Sequence, residues 1–174
     1  MPTLLIDRID SPIGEIIIIV DNMRLCSLDY TGYEERMFKL LQQRYENIHL
    51  QESNDPCGFS SLLRAYLQGD LNCLNSILVN PGGTSFQQAV WAALRDIPAG
   101  EVASYGKVAT KLGKPGAARA VGLANSLNPI AIVIPCHRVI GANASLTGYA
   151  GGLERKRWLL QHENAILTPL LLDL

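Results

Sequence analysis

Ser104-Tyr105-Gly106-Lys107-Val108-Ala109-Thr110-Lys111-Leu112-Gly113-Lys114-Pro115-Gly116-Ala117-Ala118-Arg119-Ala120-Val121-Gly122-Leu123-Ala124-Asn125-Ser126-Leu127 carries a helical pattern broken once, at Gly113-Lys114-Pro115-Gly116. Ser104 can cap the first helix, and Ala117 to Leu127 form the second. Two short helices across a glycine-containing turn are a helix-turn-helix pattern. The second helix is built mainly from Ala, Gly and Ser; Arg119 and Asn125 are its only long or amide-bearing side chains. A helix that reads base edges in the major groove usually offers longer groups. Small residues let a helix backbone come close to another surface. That surface could be a minor groove only ~6 Å wide or a neighbouring helix.

Upstream, Thr84-Ser85-Phe86-Gln87 has the form of a capping box, with a helix running from it to about Ile97 before Pro98-Ala99-Gly100. Downstream, Asn128-Pro129 breaks the second helix. The apolar run Ile130-Ala131-Ile132-Val133-Ile134 has the length and β-branched content of a buried strand, stopped by Pro135. A loop with Gly141, Gly148, Gly151 and Gly152 precedes a last helix, about Leu153 to Asn164.

Residues 3–9, 13–20 and 24–30 form three strands with short connections at Ser11-Pro12-Ile13-Gly14 and Asp21-Asn22, which favours antiparallel pairing. Residues 33–45 follow a helical period. A polar loop over 46–58 and a short helix near 60–68 follow. Pro81-Gly82-Gly83 marks a linker. The expected organisation is α+β, with an N-terminal α/β domain over 1–80 and a second domain over 84–168.

The chain has 174 residues, 48% hydrophobic and 18% charged, with no apolar run near the ~20 residues of a membrane span and no N-terminal signal pattern. Four cysteines without a CxxC pair, and three scattered histidines, suggest neither a disulfide framework nor a zinc site. A reducing cytoplasm is the expected home. The net charge of −1 hides an asymmetry. Residues 1–104 hold 7 Lys/Arg against 13 Asp/Glu, whereas residues 105–157 hold 8 Lys/Arg and only Glu154. A basic block of this kind attracts a polyanion, although solvated cations on one face give the same count.

The chemistry centres on Cys136-His137-Arg138, directly after Pro135. A thiol after an apolar strand is often an inert core group. To react it needs a device that stabilises the thiolate, since a free thiol titrates near ~8.5. His137 is the nearest base. Adjacent side chains in extended structure point apart, so a turn or a bridging water is required. Glu163 can accept the other imidazole N–H, and His162 is the rival partner. Tyr105 is either a ligand donor or a half-buried aromatic. Arg119 is either a phosphate contact, an intercalating finger or a plain surface cation. Asn128 before Pro129 suits a turn in which its amide bonds nearby backbone.

Residues 84–163 closely resemble the O6-alkylguanine-DNA alkyltransferases, also called methylated-DNA–protein-cysteine methyltransferases. Ile134-Pro135-Cys136-His137-Arg138-Val139 matches the active-site motif, Ala118-Arg119-Ala120-Val121-Gly122 the recognition helix, and Gly148-Tyr149-Ala150-Gly151-Gly152-Leu153 the substrate loop. Glu101 to Tyr105 and Trp158 to Glu163 also match. The N-terminal half matches more loosely, through Ser11-Pro12-Ile13-Gly14 and Gly69-Asp70-Leu71.

The resemblance implies a ribonuclease H-like N-terminal domain with a small antiparallel sheet, and a mostly helical, winged helix-turn-helix-like C-terminal domain carrying the active site. It implies DNA repair: one irreversible transfer per molecule of the alkyl group from O6-alkylguanine, and from O4-alkylthymine, to Cys136, by minor-groove binding and nucleotide flipping. Cys136 would accept the alkyl group, and His137, through a water with Glu163 behind it, would take the thiol proton. Tyr105 would donate to the guanine ring and help rotate the nucleotide. Asn128 would hold the recognition helix against the active-site loop. Arg119 would fill the gap in the duplex, on a DNA-binding surface with Ala118, Ala120, Gly122 and Tyr105. Val139 and Cys136 would read the guanine amine through their carbonyls. Tyr149 and Ala150 would wall the pocket, with the Ala150 N–H near the alkylated oxygen. Asn125 stands where some relatives carry a larger apolar residue. The implied partner is double-stranded DNA containing O6-alkylguanine, bound by a monomer, with no membrane, no cofactor and no metal. Three other readings are a lesion binder without transfer, which the presence of Cys136 disfavours, a regulator that senses alkylation, and a cysteine hydrolase.

Overall fold

The computed structural model describes residues 1–141 and 147–165. These form two compact units. The first is Met1–Gly82 together with Pro129–Val133, and the second is Gly83–Asn128 and the chain from Ile134 onward. The expected domain limit at 168 lies outside the described residues.

In the first unit, β1 (Thr3–Ile9), β2 (Ile16–Asp21) and β3 (Arg24–Tyr30) form an antiparallel meander. β2 lies between the other two, and Ile16 to Val20 are all buried, which is why its apolar run is unbroken. It begins at Ile16 rather than residue 13 because Ser11 to Gly14 close a turn, with the Gly14 N–H donating to the Ser11 carbonyl at 3.2 Å. α1 (Glu34–Gln42) lays Met37 and Leu41 on Ile17, Ile19 and Cys26. β4 (His49–Glu52), within the expected polar loop, pairs parallel with β1 and completes the sheet order β3-β2-β1-β4. His-Leu-Gln-Glu has no apolar alternation because β4 is a mostly exposed edge strand held by one ladder of backbone bonds. α2 (Phe59–Leu67) follows.

The expected strand at 130–134 does not form. Ile130 makes a single bridge to Leu28, and the rest of the segment is turns. The Val133 N–H donates to the Ala131 carbonyl at 2.8 Å around Ile132, whose φ is +70°. The Cys136 N–H then donates to the Ile134 carbonyl at 2.8 Å around Pro135, at φ −81° and ψ 66°. The second geometry is an inverse γ-turn, and the first closes the same three-residue ring with a left-handed centre. A left-handed, β-branched isoleucine is strained, so burial of the segment overrides its strand propensity.

The second unit opens with α3 (Ser85–Arg95), whose N-terminus is a complete capping box. Thr84 Oγ1 accepts from the Gln87 N–H at 3.2 Å, and Gln87 Oε1 accepts from the Thr84 N–H at 3.0 Å. β5 (Ala103–Ser104) pairs parallel with β6 (Val139–Ile140). Ser104 caps α4 (Tyr105–Lys111) by accepting from the Lys107 N–H at 3.1 Å. After the turn at Gly113 comes α5 (Ala118–Ser126), tied to α3 by the Trp91 indole N–H, which donates to the Ala124 carbonyl at 2.9 Å. α6 (Leu153–His162) packs Leu160 on Ile140. Among the described residues no helix is long and apolar enough to cross a membrane.

The capping box is the most local of these devices. Thr84→Ala is expected to lower stability by about 1 kcal/mol in urea denaturation, with Thr84→Ser close to the parent chain. An unchanged midpoint for the alanine variant would show that the box contributes nothing.

Candidate active site

Cys136 to Arg138 form a single 3-10 turn between Pro135 and β6. The turn brings the side chains of two adjacent residues, His137 and Arg138, to one acceptor, which an extended segment, with alternating side chains, cannot do. Cys136 borders a cavity of about 400 Å³. His137 and Arg138 turn instead towards Glu163, the residue that ends α6.

Glu163 is buried together with its partners. His137 Nε2 lies 3.0 Å from both carboxylate oxygens. Arg138 grips the same group twice, Nε donating to Oε1 at 2.9 Å and a terminal nitrogen to Oε2 at 2.8 Å. Its other terminal nitrogen donates to the Ile97 carbonyl at 2.6 Å. Burial alone would raise the Glu163 pKa, but the His137 and Arg138 contacts hold the carboxyl far below the usual range. Burial pushes the His137 imidazole down, and the attraction of Glu163 only partly opposes this. An ionised carboxylate facing Nε2 requires the proton on that nitrogen. Nδ1 is then the basic nitrogen, and it is buried with no hydrogen-bond partner among the described residues. His162 stacks on Trp158 with ring centroids 4.7 Å apart.

The cavity is lined by Tyr105, Gly122, Asn125 and Ser126 from α4 and α5, together with Cys136, Gly148, Tyr149 and Ala150. Of the expected site residues, Cys136, Tyr105, Gly122, Tyr149 and Ala150 therefore share one space. The Tyr105 hydroxyl shares a hydrogen bond of 2.8 Å with Thr147 Oγ1. Gly122 sits beneath the Tyr105 ring, where an added Cβ would stand 3.7 Å from the nearest ring carbon. The small residues thus make both a helix seam and a cavity wall. On the outer side of α5, Arg119 and Ala120 are exposed, Ala118 is half-buried, and Leu123 is 62% exposed. Asn128 is buried and donates through Nδ2 to the Ile134 carbonyl at 2.8 Å, joining the end of α5 to the start of the cysteine turn.

Two carbonyls expected to face a ligand already have partners. Asn125 Nδ2 donates to the Cys136 carbonyl at 3.4 Å, and Lys156 Nζ to the Val139 carbonyl at 2.6 Å. Val139 does not line the cavity. Lys156 was visible in the sequence only as one member of the basic block. It is fully buried, donates also to the Thr147 carbonyl at 2.8 Å, and so fastens the chain at Thr147 to β6. Burial pulls its pKa down to about 8. Arg138 and Lys156 are thus turned inward. Lys111 pairs with Asp96 at 3.2 Å, so the basic face is smaller than the residue count suggests. Among the described residues no three His, Cys, Asp or Glu side chains gather as metal ligands would. All four cysteines are free thiols.

Residues 85–165 match the family described as 6-O-methylguanine DNA methyltransferase, DNA binding domain. Residues 4–81 match its ribonuclease-like domain. A methylated-DNA–protein-cysteine methyltransferase of Shigella flexneri is 48% identical over 170 residues, 96% of this chain and 99% of the relative. One from Mycobacterium bovis is 47% identical over 160 residues, 90% of each chain. The crystal structure of Mycobacterium tuberculosis OGT in complex with DNA superposes with a TM-score of 0.76 at 42% identity, covering 94% of this chain and 93% of that one.

Lys156 has a measurable pH signature. Its pKa is about 8 folded against 10.5 for an ordinary lysine, so between those values the unfolded chain binds the extra proton. Stability should rise with pH through that window in the parent chain relative to Lys156→Met, and stay level with respect to it below pH 8. A difference that is constant from pH 7 to about 10.5 would contradict the assignment.

Proposed function

We propose, because this chain belongs to the 6-O-methylguanine DNA methyltransferase family, that it repairs O6-alkylguanine in double-stranded DNA by moving the alkyl group to Cys136. The observation that carries the reading is the position of the thiol. Cys136 borders a cavity large enough for one base, and the residue after it is a buried imidazole held by an ionised carboxylate.

His137 is neutral at rest because burial disfavours its charged form. With Nε2–H bonded to Glu163, Nδ1 is free to take the thiol proton through a water. Glu163 then offsets the imidazolium charge. The thiolate attacks the alkyl carbon in line with the C–O6 bond. The S–C bond forms as the C–O bond breaks, and its electron pair leaves on guanine. Tyr105 acts as the donor that quiets the departing anion. If the Thr147 hydroxyl donates to the phenol oxygen, the phenol proton is available to the base. The product is a thioether, which no group at this site can cleave, so each molecule acts once.

The target atom lies inside the duplex, so the nucleotide must be flipped out at a cost of a few kcal/mol. α5 is suited to close approach in the minor groove, with Arg119 exposed to fill the vacated stack and the remaining surface cations on phosphates. O4-alkylthymine is a secondary substrate of the same displacement. The protein acts as a monomer, without metal or cofactor, in the cytoplasm.

Incubation with a duplex containing O6-methylguanine should add one methyl group to the intact protein by mass spectrometry, mapped to Cys136 and missing in Cys136→Ala. An unmodified protein beside an intact lesion would sink the transfer reading. Arg119→Ala should slow repair of duplex DNA at least tenfold while leaving reaction with free O6-benzylguanine nearly unchanged. Equal slowing on both would refute its role in flipping.

A further inference from the structure

The Tyr105 phenol oxygen and Thr147 Oγ1 lie 2.8 Å apart and share one hydrogen bond, which either can donate. Both residues are anchored by other contacts. Tyr105 opens α4 behind the Ser104 cap, and its ring lies over Gly122, where an added Cβ would stand 3.7 Å from it. The Thr147 carbonyl accepts from Lys156 Nζ at 2.8 Å, and the same buried ammonium donates to the Val139 carbonyl at 2.6 Å. A β-branched side chain on a fixed backbone has few rotamers. The two hydroxyl hydrogens are therefore the freest part of the contact, and they can rearrange while the heavy atoms stay in place. Tyr105 lines the cavity and Thr147 does not, so Thr147 can act on a bound base only through the phenol.

We infer that Thr147 is a positioning residue for the alkyl transfer, its hydroxyl passing from accepting the phenol hydrogen to donating to the phenol oxygen when Tyr105 turns that hydrogen to the flipped base. The inference rests on the transfer function proposed above. A phenol is a stronger donor than an aliphatic alcohol, so in the free protein Tyr105 donates and Thr147 accepts. A base in the cavity gives the phenol a different acceptor, and its own oxygen then takes the Thr147 hydrogen. As the C–O6 bond breaks, negative charge grows on the departing base and draws the phenol hydrogen closer. Charge follows onto the phenol oxygen, and the bond from Thr147 strengthens with it, because linked hydroxyls polarise one another. The contribution of Thr147 is therefore larger in the transition state than in the bound complex. It belongs to the rate of the chemical step and not to affinity.

The test is single-turnover methyl transfer from an O6-methylguanine duplex to excess full-length protein, over a range of protein concentrations. Thr147→Val keeps the shape and removes the hydroxyl. It should lower the maximal rate about fivefold and leave the half-saturating concentration within about twofold of the parent chain. Thr147→Ser should recover most of the parent rate. The same loss should appear with free O6-benzylguanine, which needs no flipping. In a Tyr105→Phe background Thr147→Val should cost nothing further. A misfolded fraction lowers the concentration of active protein and not the maximal rate at saturation. A parent rate in Thr147→Val, or a change confined to its half-saturating concentration, would overturn the role of Thr147. So would a serine variant as slow as the valine one, a loss confined to duplex DNA, or an undiminished loss in the phenylalanine background. No methyl transfer from the duplex to the parent chain would overturn the function, and this inference with it.

Discussion

The buried carboxylate of Glu163 is the constraint on which the site depends. It accepts from His137 and twice from Arg138, which joins the end of α6 to the cysteine turn through side chains alone. Removing such charges from water costs several kcal/mol per ion, and a buried ion pair often returns no net stability over an apolar equivalent. Its effect here is better described as orientation. A carboxylate held ionised by a bidentate guanidinium leaves the imidazole one tautomer, with its basic nitrogen directed away from Glu163.

Lys156 does similar work on the opposite side. Its ammonium sits between the Val139 and Thr147 carbonyls, so β6 and the chain leading into the Gly148–Ala150 wall are held together. Two of the cations that make the second half of the sequence basic are therefore structural. Others, Arg119 among them, stay exposed at the surface. A charge count along a chain does not distinguish the two kinds, because both have the same composition.

α5 shows why small residues resisted a single reading. Its inner side carries Val121 and Ala124, and Trp91 pins it through the Ala124 carbonyl. Gly122 and Asn125 face the cavity, while Arg119, Ala120 and Leu123 face solvent. The packed seam takes one side of the helix and leaves the other in solvent.

The sequence by itself determined what depends on neighbours a few residues apart. The Thr84 capping box, the helix pair broken at Gly113 to Gly116, and the β1–β3 meander were all legible, because caps, turns and apolar periodicity act locally. So was the motif around Cys136. Only the tertiary structure decided the rest. β4 has no apolar pattern, and it became a strand by pairing with β1. Ile130 to Ile134 has a strong strand pattern, yet long-range packing bent it into two tight turns. Lys156 and Asn125 acquired their roles from backbone carbonyls 17 and 11 residues away. A carbonyl has no sequence signature, so no reading of residue types could have found those contacts.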